Sequence, residues 1–436
     1  PDILAALAVI TGLDPMATTS ERLVMAPDAA ALAADLAAHH DRLGFLRASE
    51  VGPGVRALSF GETSYFGVAR VRTAAEWPLT IETPAPSVPS VPTEVVYDPA
   101  TAWTLFAGGD ILLDRGIAYT VKTLGKGVDF PFDGGTATIV SHSCCSQFGW
   151  KTPNMRRTGG EGSFRDLIQG ADLAIANFEN PAPDAFRYHE HGTVFSADPK
   201  LIAGLANAGL DWVSLANNHI RDAGAQGVLD TIRHLDAAGI AHSGAGTGVT
   251  EAHTAALLDA AGTRVAFLGY DTIAPSYWTS TASRVGSAEM TASALTADIA
   301  AARAAGAQVV IVFPHWGIEY TAAPSTKQQR LARAAIDAGA DMVIGNHPHW
   351  AGAVEIYEGR PIWYALGNFV FDQTWSEPTM EGITLELTFQ GTRLVQAAMR
   401  PHVILDRSQP NFMDPAGTGA IVMNQVWAAS KGRLPW

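Results

Sequence analysis

Six short polar clusters follow one another along a single stretch of this chain: Gly108-Gly109-Asp110, Asn177-Phe178-Glu179, Asn217-Asn218-His219, His315-Trp316-Gly317, His347-Pro348-His349 and Leu366-Gly367-Asn368. Most of them end a run of strand-like apolar residues, so the sequence sends carboxylates, amides and imidazoles to one edge of a β-rich core. Carboxylate oxygen, neutral imidazole nitrogen and side-chain amide oxygen are donors that Mn, Zn and Fe(II) accept. The candidate ligands are therefore Asp110, Glu179, Asn218, His315, His347 and His349. A lone strand-end Asp is usually a turn former. Here Asn177 and His219 join the same pattern, and open α/β sheets carry their ligands at the carboxyl ends of strands, where loops hold polar groups over a rigid core.

The elements that must position these residues alternate from Ala102 onward, as in an α/β layered domain. Strands are expected over Trp103–Ala107, Leu173–Ala176, Trp212–Ala216, Val265–Gly269, Val309–Phe313 and Met342–Ile344, with helices over Ala225–Ala238, Ala292–Ala305 and Gln328–Ala338, the last stopped by Gly339. After Asn368 the pattern alternates, and Ile383–Phe389, Gly391 and Leu394–Met399 predict an antiparallel hairpin. Upstream, a helix is expected over Ala29–Ala38 and strands over Leu43–Arg47 and Val55–Phe60, separated by the turn Gly52-Pro53-Gly54. Six prolines between Pro78 and Pro99 mark a linker that favours extended chain. The expected domains are thus 1–77, a linker over 78–99, a main domain over 100–405 and a C-terminal extension over 406–436.

Bulk properties narrow the function. A length of 436 residues suits two or three domains, and 47% hydrophobic residues with a mean hydropathy of +0.09 is a globular composition. A formal charge of −14 excludes a broad nucleic-acid footprint. No apolar run is long enough to span a bilayer. The apolar opening Pro1–Leu13 lacks a basic flank and predicts a core helix, and the missing initiator Met points to a trimmed or mature form. Cys144 and Cys145 are the two cysteines; two free thiols are the simpler expectation, because a vicinal bridge spans less than the usual Cα separation. His142 beside them lacks zinc-knuckle spacing. No Gly-x4-Gly-Lys-Ser/Thr loop is present, and Gly244-Ala245-Gly246-Thr247-Gly248, with no helix start expected after it, is taken as a loop.

The ordered set Gly109-Asp110-Ile111-Leu112-Leu113-Asp114-Arg115, Asn177-Phe178-Glu179, Ala216-Asn217-Asn218-His219-Ile220-Arg221-Asp222, His315-Trp316-Gly317-Ile318-Glu319-Tyr320, His347-Pro348-His349 and Leu366-Gly367-Asn368-Phe369-Val370-Phe371-Asp372-Gln373 closely resembles the CapA/PgsA family of poly-γ-glutamate capsule biosynthesis proteins, over about Trp103 to Arg400. That family is similar to the calcineurin-like metallophosphoesterases. The resemblance implies a four-layer sandwich of two β-sheets flanked by helices, with a small N-terminal α/β lobe in front. It also implies one or two divalent ions held by the six candidate ligands, with His219 facing the leaving group. One departure bears on the ion count: where the wider pattern has Asp-x-His, position 112 is Leu, so a single ion, or a strong and a weak one, is as well supported as a full pair. The segment Asp41–Glu50 and the following strand resemble part of a periplasmic substrate-binding protein lobe.

Roles follow from charge. An ion lowers the pKa of bound water toward about 7 and polarises a phosphoryl oxygen, and imidazole at neutral pH suits protonation of a departing alkoxide, the part given to His219. Glu319 would orient His315 or receive a substrate group, or stand as a surface carboxylate. Arg115 and Arg221 would face an anion, or pair with Asp114 and Asp222. Asn177 and Asn368 are candidate substrate contacts, Trp316 and Tyr320 either cleft walls or core aromatics, and the basic stretch from His142 to Gly162, with Lys151, Arg156 and Arg157, either a substrate lip or a solvated loop. The resemblance implies an extracellular, cell-surface protein that meets an anionic envelope polymer or its phosphorylated precursor, in company with a membrane-bound capsule synthesis complex and no nucleic acid. Hydrolysis of a phosphoester or amide is the leading expectation. The alternative is a non-hydrolytic assembly or export subunit that keeps the fold.

Overall fold

The computed structural model describes residues 26–78, apart from 40, 41, 45, 47, 53, 54, 56 and 60–62, and residues 97–434. Period-two alternation builds its centre. In the strands Thr263–Asp271 and Val309–His315, Ala266, Leu268, Tyr270, Val310 and Val312 point to one side, where Leu295, Ile299 and Ala302 of helix Ala292–Ala304 and Leu331, Ala332 and Ala335 of helix Thr326–Asp337 cover them. On the other side Phe267 and Phe313 meet Trp212 of the second sheet, at 5.2 and 5.3 Å between ring centroids. Two sheets thus pack face to face with helices outside, as the four-layer expectation requires.

The smaller sheet has six strands in the order Val354–Tyr357, Arg360–Trp363, Met342–Ile344, Val309–His315, Thr263–Asp271, Ala256–Ala260. The larger runs Thr152–Gly159, Thr136–Ser143, Gln409–Phe412, Arg393–Leu405, Glu381–Gln390, Ala102–Ile111, Leu173–Phe178, Trp212–Ser214, Ala241–Ser243, with Asn368–Val370 pairing alongside Ala102–Ile111. Its centre is parallel, and the register sets Asp110 opposite both Asn177 and Asn368. Helix Thr326–Asp337 starts on a capping box between Ser325 and Gln328, and Gly339 follows it at φ 105°, in the left-handed region that glycine tolerates. Among the described residues no helix is long and apolar enough to cross a membrane.

Several local expectations change. His142–Gly162 supplies the turn and second strand of an antiparallel ribbon, Thr136–Ser143 with Thr152–Gly159, rather than a loop, and Cys144 and Cys145 at its turn are joined in a disulfide rather than free. His142 pairs with Glu377 at 2.8 Å. A short helix, Val249–Ala252, does follow Gly248, but the Thr247 N–H is donated to Glu251 Oε2 at 2.9 Å, so it is not open to a phosphate.

The chain divides into two compact units: residues to Thr104 with Leu387–Ala398, and Leu105–Glu386 with Met399 onward. In the first, helix Ala29–Ala38 forms as expected, capped by Asp28, whose carboxylate accepts from Ala31 N at 2.8 Å. The described residues of 43–47 and 55–60 form no strand. Leu46, Val55 and Ala57 pack instead as irregular chain on a cluster of Val51, Phe66, Tyr97, Ala102 and Val395. The neighbouring strands Glu381–Gln390 and Arg393–Leu405 correspond to the expected hairpin, so the front of the chain is completed by residues from its second half. Most of the proline-rich linker and all of Pro1–Leu13 lie outside the described residues.

Candidate metal centre

Strand ends and two tight crossings bring the polar clusters together. A Cβ on Gly109 would run into the Gly367 carbonyl oxygen, so only glycine lets strand Ala102–Ile111 lie against the Gly367-Asn368 turn with Asp110 N donating to Gly367 O at 3.1 Å. A Cβ on Gly345 would meet Tyr364 O and Trp316 Nε1. That glycine opens the loop in which His347 (φ 94°) and His349 (φ 59°) both take left-handed backbone, a conformation that costs non-glycine residues energy and collects at functional sites. The His347 N–H donates to Asp110 Oδ2 at 3.2 Å and helps hold that conformation.

The side chains converge. Ligand-type atoms of Asp110, Glu179 and His315 lie within 4.8 Å of one another, and so do those of Glu179, His347 and His349; all five residues are buried. His315 Nε2 is 2.8 Å from Asn218 Oδ1, 3.0 Å from His347 Nδ1 and 3.5 Å from Glu179 Oε1. His349 Nδ1 stands 3.5 Å from Asp110 Oδ2. Neither oxygen of Glu179 meets any hydrogen-bond donor, although the residue is fully buried. Burial pushes the Asp110 carboxyl up to about 7. Burial first, and then the facing Asp110 and Glu319 charges, holds Glu179 well above the usual carboxylate range. Burial and the neighbouring imidazoles hold His315 and His347 well below the ordinary imidazole value, and burial depresses His349 to about 3. Neutral imidazoles gathered around an unpartnered carboxylate form a donor set that fits a divalent cation.

Other expected site residues are placed differently. Asn177 is not open to substrate: its Nδ2 bridges Asp110 Oδ1 (2.7 Å) and His315 Nδ1 (3.1 Å). Asn368 is likewise internal, its Oδ1 2.8 Å from His349 Nδ1 and its Nδ2 donating to Thr379 O at 2.8 Å, so it orients a ligand-type ring. Trp316 is a core residue, fully buried, with Nε1 donating to Tyr364 O at 2.9 Å. Tyr320 stands beside the centre, its ring stacked on that of His349. Glu319 is exposed and does not orient His315, whose ring nitrogens are met by Asn177, Asn218 and His347. Arg115 pairs with Asp372 rather than Asp114, donates to Gly192 O at 2.8 Å and lies over Phe195. Arg221 donates to Tyr277 O at 3.4 Å and leaves Asp222 to His219. Of the basic stretch, Arg157 is tied to Asp406 and Gln409.

Sequence reasoning gave no role to Asp222 beyond a salt bridge and none to Asp372. Asp222 Oδ2 accepts from His219 Nδ1 at 2.7 Å and from Phe195 N at 2.6 Å, and Phe195 packs on the His219 ring at 4.1 Å. A carboxylate three residues after the imidazole was the available signal. Asp372 accepts from Gly116 N at 2.9 Å as well as from Arg115, a long-range contact with no local signature.

Fold and site together define an α/β protein with a buried carboxylate and imidazole centre at its strand ends. The family described as Bacterial capsule synthesis protein PGA_cap matches residues 104–373, and the chain belongs to it. It is 34% identical over 232 residues to the "Capsule biosynthesis protein CapA" of Bacillus anthracis, covering 51% of this chain and 56% of that one. It is also 34% identical over 288 residues to a "Probable polyglutamine synthesis accessory protein" of Mycobacterium tuberculosis, covering 62% and 74%. The chain therefore spans little more than half of the Bacillus anthracis relative. Among solved structures it is similar to a putative 5'-nucleotidase from Staphylococcus aureus (13% identity, TM-score 0.42, 70% of this chain and 54% of that one) and to the calcineurin-like phosphoesterase YfkN from Bacillus subtilis (15%, 0.38, 75% and 96%).

Proposed function

We propose that the chain acts in the making of a cell-surface capsule polymer as a metal-dependent hydrolase, cutting a phosphoester or an amide of that polymer or of its phosphorylated precursor outside the membrane. The family membership supports the process, and the observation that carries the chemistry is Glu179, a fully buried carboxylate without a donor among Asp110, His315, His347 and His349. These residues with Asn218 would hold the ion, Mn, Zn or Fe. When bound, a divalent ion would supply Lewis acidity toward the scissile group and a more acidic water.

The chain's own groups do the rest. Asn177 fixes Asp110 against His315, and Asn368 fixes the His349 ring, so the donors are set before anything binds. His219 is partly exposed at the edge of the centre and its Nδ1 is engaged by Asp222. Asp222 takes the Nδ1 side of the ring, which leaves Nε2 as the atom that would face the departing oxygen. Leu112 is packed against Phe195, Phe371 and Ile404 and offers no donor, which favours one strongly held ion with at most a weaker second. Replacing His219 by Asn should keep the metal content and lower turnover of a generic phosphodiester by about 10²- to 10⁴-fold. Loss of metal would make His219 a ligand, and unchanged turnover would remove it from the chemistry. Stoichiometric metal with no turnover on any ester or amide would support the assembly subunit instead.

A further inference from the structure

The His219 side of the centre carries cations that no carboxylate matches. His219 and Arg221 share the turn 217–222, closed by Asp222 N donating to His219 O at 2.9 Å. Beside it, the segment 272–284 starts at the centre itself. Thr272 N donates to His315 O at 3.1 Å, and Asp271, opposite His315 in the sheet, accepts from Ile273 N at 2.6 Å and Ala274 N at 3.1 Å. Three carbonyls of that segment collect two guanidinium groups: Arg221 donates to Tyr277 O at 3.4 Å, and Arg284 to Thr279 O at 2.7 Å and to Ser276 O at 2.8 Å. Among the described residues neither arginine pairs with a carboxylate, and the buried Nε–H of Arg221 meets no acceptor. The acidic groups around them are engaged. Asp222 is taken by His219 and Phe195 N, Asp271 by the two loop amides and Ser287 Oγ, and Glu289 lines a separate groove with Asp298 of helix Ala292–Ala304. Arg115, over Phe195, is matched by Asp372. A guanidinium bound only to a backbone carbonyl keeps its charge and much of its fork for an oxyanion.

We infer that Arg221, with Arg284 adding to the local charge, holds a carboxylate on the leaving half of the substrate, so that the centre selects an acidic unit beside the bond it cuts. The inference rests on the hydrolase reading for the part played by His219, but not for the binding of the anion. Arg221 is two residues from His219 on one tight turn, so a single leaving group would meet both side chains. In an amide chain of γ-linked glutamate the carbon attached to the leaving nitrogen bears a carboxylate, whose carbon is two bonds from that nitrogen. Its two coplanar oxygens match the guanidinium fork. A neutral alcohol or amine in the same place would leave the fork unused.

The test titrates the full chain, loaded with Mn, with a γ-linked glutamate tetramer, the same tetramer with its α-carboxylates converted to amides, and inorganic phosphate, read by calorimetry. The acid tetramer should bind saturably and about tenfold or more tighter than its amide counterpart, as a charge-assisted hydrogen bond warrants. Arg221→Ala should remove most of that preference, and Arg221→Lys, which keeps the charge but not the fork, should fall between. Metal content should not change, because Arg221 bonds none of the candidate ligands. Equal affinity for the two tetramers, no saturable binding of the acid tetramer, or a preference that survives Arg221→Ala overturns the inference. Phosphate that binds more tightly than the acid tetramer and depends on Arg221 also overturns it, by assigning the arginine to a phosphoryl group. Turnover of the acid tetramer and of a small phosphodiester is measured on the same samples. A failure of the hydrolase reading shows there as absent product, with the binding preference intact.

Discussion

A carboxylate shielded from water and met by no donor costs several kcal/mol unless a cation shares its site, and Glu179 is placed so. The imidazoles around it have the complementary property, since burial keeps them uncharged, the state in which imidazole coordinates a cation. His402 shows what the same burial does to a ring with no candidate ion beside it. It is fully buried, its Nε2 lies 2.8 Å from Asn368 O, and burial holds its imidazole down to about 4. The unfolded chain takes up a proton there near pH 6.5. The folded chain refuses it until about pH 4, so stability is full above the unfolded value and falls as pH drops between the two. The loss reaches about 3 kcal/mol at the acid end as an upper figure. His402→Gln should flatten that part of the urea midpoint's pH profile relative to the unaltered chain; parallel profiles would show that the ring is protonated in the folded state.

At the scale of elements, the loop 345–349 does most to shape the centre, because it puts two left-handed histidines beside Asp110. Gly345→Ala should push the loop off Tyr364 O and Trp316 Nε1, at a cost of about 1–3 kcal/mol. Metal titration should show weaker binding in a protein that still folds by circular dichroism; unchanged affinity would mean that the loop's path does not set the ligand positions. Such crowding is invisible in sequence, whereas the residues delivered by the loop were plain there. Helix Thr326–Asp337 could be read from Ser325, Gln328 and Gly339, and the strands that carry Asp110, Asn177, His315 and Ile344 from their apolar runs, because these signals act over a few residues. Leu46, Val55 and Ala57 misled because alternation near Gly and Pro also fits irregular chain packed on Phe66 and Tyr97. The inward roles of Asn177 and Asn368, and the burial of Trp316, depend on partners from distant strands that no local pattern names.

At the scale of the whole molecule, the first unit is stitched from both ends of the sequence: Trp103 stacks on Phe389 at 4.1 Å and donates to Gly391 O at 2.8 Å, and Val395 is fully buried in the cluster with Val51 and Phe66. A chain beginning at Thr93 lacks Val51 and Phe66 and uncovers Val395, a loss of about 1.5–3 kcal/mol for each large apolar side chain exposed. It should melt several degrees lower and still bind metal, because none of the candidate ligands belongs to that unit. An insoluble or metal-free product would place the front of the chain within the core that supports the centre. The most direct test of the account is elemental analysis of the full chain purified without chelator and then dialysed against Mn or Zn, beside Glu179→Gln. Near-stoichiometric metal and a raised melting temperature are expected in the unaltered chain. In the variant a fall in affinity of at least about 100-fold is expected, with no loss of metal-free stability, because the amide replaces a carboxyl that burial already keeps from ionising. A chain that retains no divalent ion, or a variant that holds it equally well, would contradict it.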